Sequence, residues 1–124
     1  MLIVEDNDRV RAALRDWMQS AFPELVVSEV ADGETAVDAV MASPPALVLM
    51  DLALPGIDGI EATRRIHGAN PDVPVVMLTI HEDGRYRQAA EEAGAHAFVA
   101  KRSMQNDLVR VVGSVLRLHA EGTA

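Results

Sequence analysis

The stretch Ala46-Leu47-Val48-Leu49-Met50-Asp51 is a continuous apolar run that ends in an acid. It is too short for a helix, and continuous rather than alternating apolarity is typical of a strand that is covered on both faces, as in a parallel sheet. Similar runs recur at nearly even spacing, at residues 2–4, 25–27, 73–78 and 97–100. The sequence therefore predicts five buried parallel strands.

Helical patterns fill the gaps between these runs. The apolar stripes are Val10, Ala13, Leu14, Trp17 and Met18; Ala36, Val37, Val40 and Met41; Ile60, Thr63 and Ile66; Tyr86, Ala89, Ala90 and Ala93; and Leu108, Val111, Val112, Val115 and Leu116. On the first helix, the polar residues between the apolar ones are expected to face water: Arg9, Arg11, Arg15, Asp16 and Gln19. Gly94 is placed to end the fourth helix. The alternation predicts an α/β fold of five βα units, with helices on both faces of a parallel five-stranded sheet.

Composition excludes several classes of function. The chain has 124 residues, enough for one domain, and its 11 basic and 19 acidic side chains give a net charge of −8. This charge disfavours binding to nucleic acid or to anionic lipid. There is no cysteine, and no apolar run approaches the roughly 20 residues of a membrane span. The acidic Glu5 and Asp6 directly after the first apolar run are unlike a secretion signal, so we expect a cytoplasmic protein.

Polar residues follow four of the five predicted strands. Glu5 and Asp6 follow the first, Asp51 the third, Thr79 the fourth and Lys101 the fifth. Ligands of open α/β sheets bind beyond the carboxyl ends of the strands, so these side chains are expected to converge. Aspartate and threonine are also common as helix caps, and each residue taken singly fits that role equally well.

The acidic group would need a positive partner. Two carboxylates 4 Å apart repel by about 4 kcal/mol at an effective dielectric constant near 20. Oxygen ligands select a hard cation, and Mg²⁺ takes a few protein oxygens while it keeps several waters. Three carboxylates, one Mg²⁺ and the ammonium of Lys101 sum to zero charge. Lys101 is the only lysine, beside ten arginines, and a compact ammonium suits a tight site that a guanidinium would not enter.

These residues, in this order, resemble a known family over essentially the whole chain. The matching segments are Glu5-Asp6, Met50-Asp51-Leu52-Ala53-Leu54-Pro55-Gly56-Ile57-Asp58-Gly59, Leu78-Thr79 and Phe98-Val99-Ala100-Lys101. The pattern resembles the receiver domain of two-component response regulators. The segment Val76-Met77-Leu78-Thr79-Ile80-His81, together with Gly94-Ala95, is most similar to receivers of the NarL/LuxR type. The resemblance implies a flavodoxin-like topology with strand order 2-1-3-4-5.

The resemblance also implies roles for individual residues. Asp51 would accept the phosphoryl group, and Mg²⁺, or Mn²⁺ in its place, would be held by Glu5, Asp6, Asp51 and the backbone carbonyl of Ala53. Thr79 and Lys101 would contact the phosphoryl oxygens, and Phe98 would be the aromatic switch residue. The chemistry agrees with these roles, since a carboxylate that attacks phosphorus needs a metal to offset repulsion and donors for the equatorial oxygens.

The implied protein is a phosphoacceptor switch rather than an enzyme, with intrinsic dephosphorylation left open. A sensor histidine kinase would be its phosphodonor, and a homodimer on phosphorylation is a further expectation. We assign residues 1–119 to the receiver and 120–124 to a C-terminal tail. The chain is expected to be either a stand-alone receiver or, as we favour, the amino-terminal part of a regulator of transcription with a C-terminal DNA-binding domain.

Two departures from the family pattern concern the site. The acidic pair is Glu5-Asp6 where Asp-Asp is commoner, which keeps the charge but leaves open whether Glu5 contacts metal directly or through water. Arg102 follows Lys101 where many receivers have proline, often in a cis peptide. The loop geometry after Lys101 therefore cannot be carried over from the family.

Other residues near the site have structural explanations. Pro55-Gly56 fits the middle of a type II turn, and Asp58 with Glu61 fits a helix N-cap and its partner. The histidines His67, His81, His96 and His119 have no metal-ligand spacing. Of these, His81 alone is expected near the site.

Competing functions have less support. A flavodoxin needs a glycine- and hydroxyl-rich phosphate loop after the first strand, where this chain is acidic. A haloacid-dehalogenase-type phosphatase needs Asp-x-Asp, and Ala53 occupies the second position. The nucleotide-binding motifs GxxxxGK and GxGxxG are missing. A receiver-like module that no longer takes phosphate is the third alternative, although the acceptor, the metal acids and the lysine are all present.

Overall fold

A parallel sheet of five strands forms the centre of the computed structural model, which describes the backbone of residues 1–123 and the side chains of residues 1–118. Strands and helices alternate along the chain: β1 (Leu2–Val4), α1 (Asp8–Ala21), β2 (Ser28–Val30), α2 (Gly33–Ala42), β3 (Val48–Asp51), α3 (Gly59–Ala69), β4 (Val75–Thr79), α4 (Gly84–Ala93), β5 (Ala97–Ala100) and α5 (Met104–Thr123). A single 3₁₀ turn, Lys101–Ser103, connects β5 to α5. The strand order is β2-β1-β3-β4-β5, and every pair is parallel. The predicted fold class and strand order are confirmed.

Each face of the sheet carries its own hydrophobic core. Val4, Met50 and Met77 pack with residues of α2, α3 and α4 on one face, which we call the α2–α4 face. Ile3, Leu49 and Val76 pack with residues of α1 and α5 on the other, the α1–α5 face. Successive residues of a strand point to opposite faces, so strands that are apolar at every position bury both sides. This is why the continuous apolar runs indicated a parallel sheet correctly.

Strand β2 lies three residues beyond the predicted segment 25–27. Leu2 pairs with Ser28 and Val4 with Val30, while Val26 is 85% exposed. The error has a physical reason, because β2 is an edge strand with one neighbour and its residues are only partly buried. A partly exposed strand does not need continuous apolarity, so the apolar run was a poor marker of its position.

The helix stripes are confirmed except at a few positions. Leu14, Met18, Leu108 and Val112 are buried as expected. The exceptions are Ala13, Met41 and Tyr86, which were placed on apolar stripes and are exposed. Ala13 borders an open groove between α1 and α5, and a methyl group loses little there by contact with water. Gly94 ends α4 as predicted, with a φ of 104° in the left-handed region.

Helix α5 continues to Thr123, across the boundary expected at residue 119. The assignment of residues 120–124 to a tail stays a prediction. Within the described part of the chain, no helix combines the length and apolarity that a membrane span requires.

Candidate functional site

The carboxyl end of the sheet gathers the predicted site residues. Glu5 follows β1, Asp51 is the last residue of β3, Thr79 is the last residue of β4, and Lys101 follows β5. Because β3 lies between β1 and β4, Asp51 is at the centre of this edge. The convergence expected from the strand ends is present.

Three carboxylates lie together at this edge. Glu5, Asp6 and Asp51 each offer an oxygen, and these oxygens lie within 4.8 Å of one another. Glu5 is 2% exposed and Asp51 is 7% exposed, whereas Asp6 faces solvent. The donors are all oxygens and one side of the group is open, which fits a hard divalent cation that keeps some of its waters.

Lys101 is the cation that contacts the two buried acids. Its Nζ lies 2.9 Å from Oε1 of Glu5 and 3.5 Å from Oδ2 of Asp51. The first distance is a charge-assisted hydrogen bond and the second is a longer ion pair. A single ammonium therefore forms ion pairs with two carboxylates, and it is closer to that of Glu5.

The electrostatics of the three groups show a shortage of positive charge. Burial raises the pKa of Asp51 from 3.8 to about 7, with further contributions from the hydrogen bond and the charge of Glu5. Burial opposes ionisation of Glu5 as well, but hydrogen bonds with Asp51 and Lys101 outweigh it and hold the pKa of Glu5 below its usual value. Burial also disfavours the ammonium of Lys101, yet the two acids raise its pKa above the ordinary value. The raised pKa means that Asp51 binds a proton more readily than an ordinary aspartate does, and a bound cation would take the place of that proton.

The hydroxyl of Thr79 lies at the end of the neighbouring strand. Thr79 is fully buried, and its Oγ1 accepts a hydrogen bond of 2.9 Å from the backbone N–H of His81. The main chain beside it is joined to the acidic edge, since the N–H of Leu52 donates to the carbonyl of Leu78 at 3.3 Å. The position of Thr79 is thus fixed by the sheet and by the loop that follows.

Phe98 lies two residues before the end of β5 and is half-buried on the α2–α4 face. It is opposite Met77, and Ala100 is opposite Thr79. The guanidinium carbon of Arg87, on α4, lies 5.3 Å from the centroid of the Phe98 ring. Phe98 and Thr79 are therefore on the same face of the sheet, separated along the strands by one small side chain.

The loop after Asp51 is shaped by two glycines and a cap. Gly56 has a φ of 73°, as the predicted type II turn requires. Asp58 caps α3 by accepting a hydrogen bond of 2.8 Å from the N–H of Glu61, so the predicted cap is confirmed. A Cβ on Gly59 would lie 2.2 Å from the carbonyl oxygen of Asp51. The start of α3 therefore touches the backbone of the central acid, a constraint that the motif contained and the sequence analysis did not interpret.

Arg11 was predicted to face water, and this was wrong. Its side chain is only 16% exposed, and its Nη1 donates a hydrogen bond of 2.9 Å to the carbonyl of Glu5. It also pairs with Asp8 at 2.7 Å. Arg11 thereby fixes the backbone beside the acidic edge. Its spacing of three residues from Asp8 was a signal for the ion pair, but helical periodicity alone placed it on the outer face.

Arg102, which departs from the family pattern, pairs with Glu82 at 2.7 Å. The pair joins the loop after β4 to the turn after β5. In the described chain all peptide bonds are trans, and a 3₁₀ turn follows β5 directly.

The described histidines are outside the acidic group. His67 and His96 contact each other edge to face with centroids 6.4 Å apart, and His81 packs on Tyr86 with centroids 5.2 Å apart. The side chain of His119 lies outside the described residues. Ala53 is exposed, and the part expected for its carbonyl in metal binding stays a prediction.

Comparisons with known proteins agree with this geometry. A family model described as the response regulator receiver domain matches residues 1–113. The chain is 36% identical to the response regulator UvrY of Escherichia coli O6:H1 over 93% of its length and 53% of the relative. It is 31% identical to the response regulator GacA of Pseudomonas protegens over 90% of its length and 53% of that relative. The chain thus spans about half the length of these curated relatives.

A solved structure gives the same result in three dimensions. It is described as a two-component response regulator of the LuxR family from Aurantimonas sp. SI85-9A1, and it superposes with a TM-score of 0.85 at 31% identity, covering 94% of this chain and 83% of the other. The resemblance inferred from the sequence, including its similarity to the NarL/LuxR type, is confirmed. The chain belongs to the response regulator receiver domain family.

Proposed function

We propose that Asp51 is the residue that accepts a phosphoryl group in this receiver. The observation that carries the proposal is the position of Asp51, a buried carboxylate at the centre of the sheet edge, beside Glu5 and 3.5 Å from the Lys101 ammonium. Asp58, the other acid of the same loop, is committed to capping α3. Asp51 is the acid of this loop that combines burial with a neighbouring cation.

The transfer consists of one bond formed and one bond broken. A carboxylate oxygen of Asp51 attacks the phosphorus of a phosphohistidine, the P–O bond forms, and the P–N bond breaks. The electron pair of that bond returns to the imidazole of the donor, which takes up a proton. Asp51 must be ionised to attack, so the proton favoured by its raised pKa must leave first.

The neighbours of Asp51 have complementary tasks. Nζ of Lys101 is close enough to pair with the Asp51 carboxylate before the transfer and with the incoming phosphoryl oxygens during it. Glu5 keeps the ammonium in place. The Thr79 hydroxyl can donate to a phosphoryl oxygen while its own oxygen still accepts from the N–H of His81. Fixed donors aimed at developing charge are the main means by which proteins accelerate such transfers.

Glu5, Asp6 and Asp51 are the side chains that would hold Mg²⁺ or Mn²⁺. When bound, the cation supplies positive charge that lowers repulsion between the carboxylate and the phosphoryl group. The fit rests on the all-oxygen donor set and on the burial of two of the three carboxylates, Glu5 and Asp51.

The consequence of phosphorylation would be a change on the α2–α4 face. Thr79 moves toward the phosphoryl group, and Phe98 turns into the space that is vacated beside Ala100. The surface formed by α4, β5 and α5 then repacks. A coupling of about 1 to 3 kcal/mol between the two events is sufficient for a switch of this kind.

The partners follow from the same proposal. A sensor histidine kinase is the phosphodonor, a C-terminal DNA-binding domain in the full-length protein is the output, and a phosphorylated homodimer is a further possibility for the active form. In this proposal the receiver itself binds no nucleic acid and acts as a switch rather than as an enzyme. A cytoplasmic location, expected from the sequence, stays a prediction.

Mass spectrometry tests the acceptor directly. The protein is incubated with Mg²⁺ and acetyl phosphate, and we expect the mass of one phosphoryl group to be gained. Asp51→Asn should abolish the gain, whereas Asp58→Asn should keep it, since asparagine also caps helices. A full gain in Asp51→Asn would refute the assignment. A wild-type protein that binds Mg²⁺ but gains no phosphoryl group would favour a module that no longer takes phosphate.

A further inference from the structure

The ring of Phe98 is in contact with a cation. Arg87 is exposed on α4, and its guanidinium carbon lies 5.3 Å from the ring centroid. A guanidinium within about 6 Å of an aromatic face is attracted by the ring quadrupole. The contact therefore links a β5 side chain to α4 independently of the hydrogen bonds of the sheet.

The ring of Phe98 borders a cavity. Phe98 and Arg87 both line a cavity of about 290 Å³ between α4, β5 and α5, whose wall includes Ala90, Ala95 and Ala97. On this side the ring borders open space rather than packed side chains. The contact with Arg87 is thus one of the interactions that decide which way the ring points.

A path leads from Phe98 toward Thr79 on the same face of the sheet. Phe98 is opposite Met77, and the next residues of each strand on that face are Ala100 and Thr79, which are opposite each other. Ala100 carries only a methyl group, so β5 places no large side chain between the ring and Thr79. A ring that turned this way would change its contact with the Arg87 guanidinium, which is carried by α4 and not by the strands.

We propose that Arg87 is a positioning residue that holds the Phe98 ring in the place it occupies in this structure, beside α4, and so sets the resting population of the switch. The inference rests on the proposed function, which supplies the inward orientation as the alternative. A cation–π contact at an exposed site changes an equilibrium by roughly two- to fivefold. Removal of the contact should raise the inward population by this factor without any change in the acidic edge.

The chain offers a selective probe of this population. It has two phenylalanines, so phenylalanine labelled with carbon-13 at the ring ε positions gives two sets of ring signals, and Phe22→Leu identifies those of Phe98. Phe22 packs on the α1–α5 face, opposite Phe98, and serves as an internal reference. Beryllium fluoride with Mg²⁺, a stable mimic of the phosphoryl group, defines the signal position of the active state.

Three variants make the test specific. Arg87→Met should move the Phe98 signals of the free protein along the line toward their beryllofluoride-bound position, and should lower the beryllofluoride midpoint about two- to fivefold. Arg87→Lys, which keeps the charge with a weaker contact to the ring, should give an intermediate shift. Arg85→Met is the matched control, because Arg85 pairs with Asp83 on the same helix start and should leave the Phe98 signals and the midpoint unchanged.

The outcomes separate the inference from the proposed function. If Asp51 gains a phosphoryl group but Arg87→Met leaves both the Phe98 signals and the midpoint at their wild-type values, the positioning role of Arg87 is overturned and the acceptor assignment stands. The same holds if Phe98 does not respond to beryllofluoride. If Asp51 gains no phosphoryl group and beryllofluoride does not bind, both proposals fail together.

Discussion

Replacing Asp51 by asparagine should stabilise the protein when divalent cations are removed. The folded state raises the pKa of Asp51 from 3.8 to about 7, so above pH 7 ionisation of this carboxyl costs about 4 kcal/mol relative to the unfolded chain. Glu5 offsets part of this cost, because the same contacts lower its own pKa, and the open side of the site adds solvent screening. We expect a net gain of about 2 kcal/mol in the free energy of unfolding for Asp51→Asn at pH 8.

The pH dependence of the gain has a definite sign. A carboxyl whose folded pKa is raised loses its proton first in the unfolded chain, so the stability of the wild type falls as the pH rises from about 4 through 7. Asparagine resembles the protonated acid, since its amide can donate to Glu5 and it does not ionise. The advantage of Asp51→Asn should therefore be small at pH 5 and complete at pH 8.

Urea unfolding in the presence of a chelator, at pH 5 and at pH 8, measures the gain in the free energy of unfolding and its dependence on pH. Asp58→Asn, a change of the same kind on an exposed cap, should match the wild type at both. Addition of Mg²⁺ should stabilise the wild type more than Asp51→Asn and so reduce the difference. A variant that is less stable than the wild type at pH 8, or one that gains equally at pH 5 and pH 8, would refute the reasoning.

Three further substitutions test other parts of the site by urea unfolding. Lys101→Met removes the cation from two buried carboxylates and should lower the free energy of unfolding by about 3 kcal/mol at pH 8. The loss should be smaller at pH 5, where Asp51 holds its proton. An equal loss at both pH values would contradict this prediction. Gly59→Ala places a methyl group against the Asp51 carbonyl and should cost about 1 to 3 kcal/mol, whereas an unchanged stability would show that α3 can shift freely. Arg102→Gln should cost less than about 1 kcal/mol, because its pair with Glu82 is exposed; a double-mutant cycle with Glu82→Gln that gives a larger coupling would disagree.

Residues at the ends of buried strands were the most predictable part of the molecule. Burial on both faces leaves a continuous apolar signature, and the first polar residue after it marks the edge where ligands bind. Asp51 and Lys101 were located in this way before any contact was known. The edge strand β2 was misplaced because none of its three residues is buried, so it needs no such signature.

Contacts across the site were less predictable. Arg11 sits on α1 with the spacing of a solvent-facing residue, and its bond to the Glu5 carbonyl depends on how the helix is placed over the end of β1. The constraint at Gly59 was unpredictable for the same reason. The need for glycine there comes from the distance between α3 and β3 rather than from the sequence of the turn. Periodicity describes one element at a time, so it does not reveal constraints that arise where two elements meet.

The residues of the proposed switch lie on one face of the sheet, because successive side chains of a strand point to opposite faces. Thr79, Ala100 and Phe98 all point to the α2–α4 face, because they occupy paired or alternate positions in β4 and β5. A movement of Thr79 would therefore open space on that face, whereas the neighbouring residues Leu78 and Val99 pack on the α1–α5 face. Under the proposed function the chemical change would be transmitted to α4, whose Arg87 contacts Phe98, and to α5, whose Val111 lines the same cavity as the Phe98 ring.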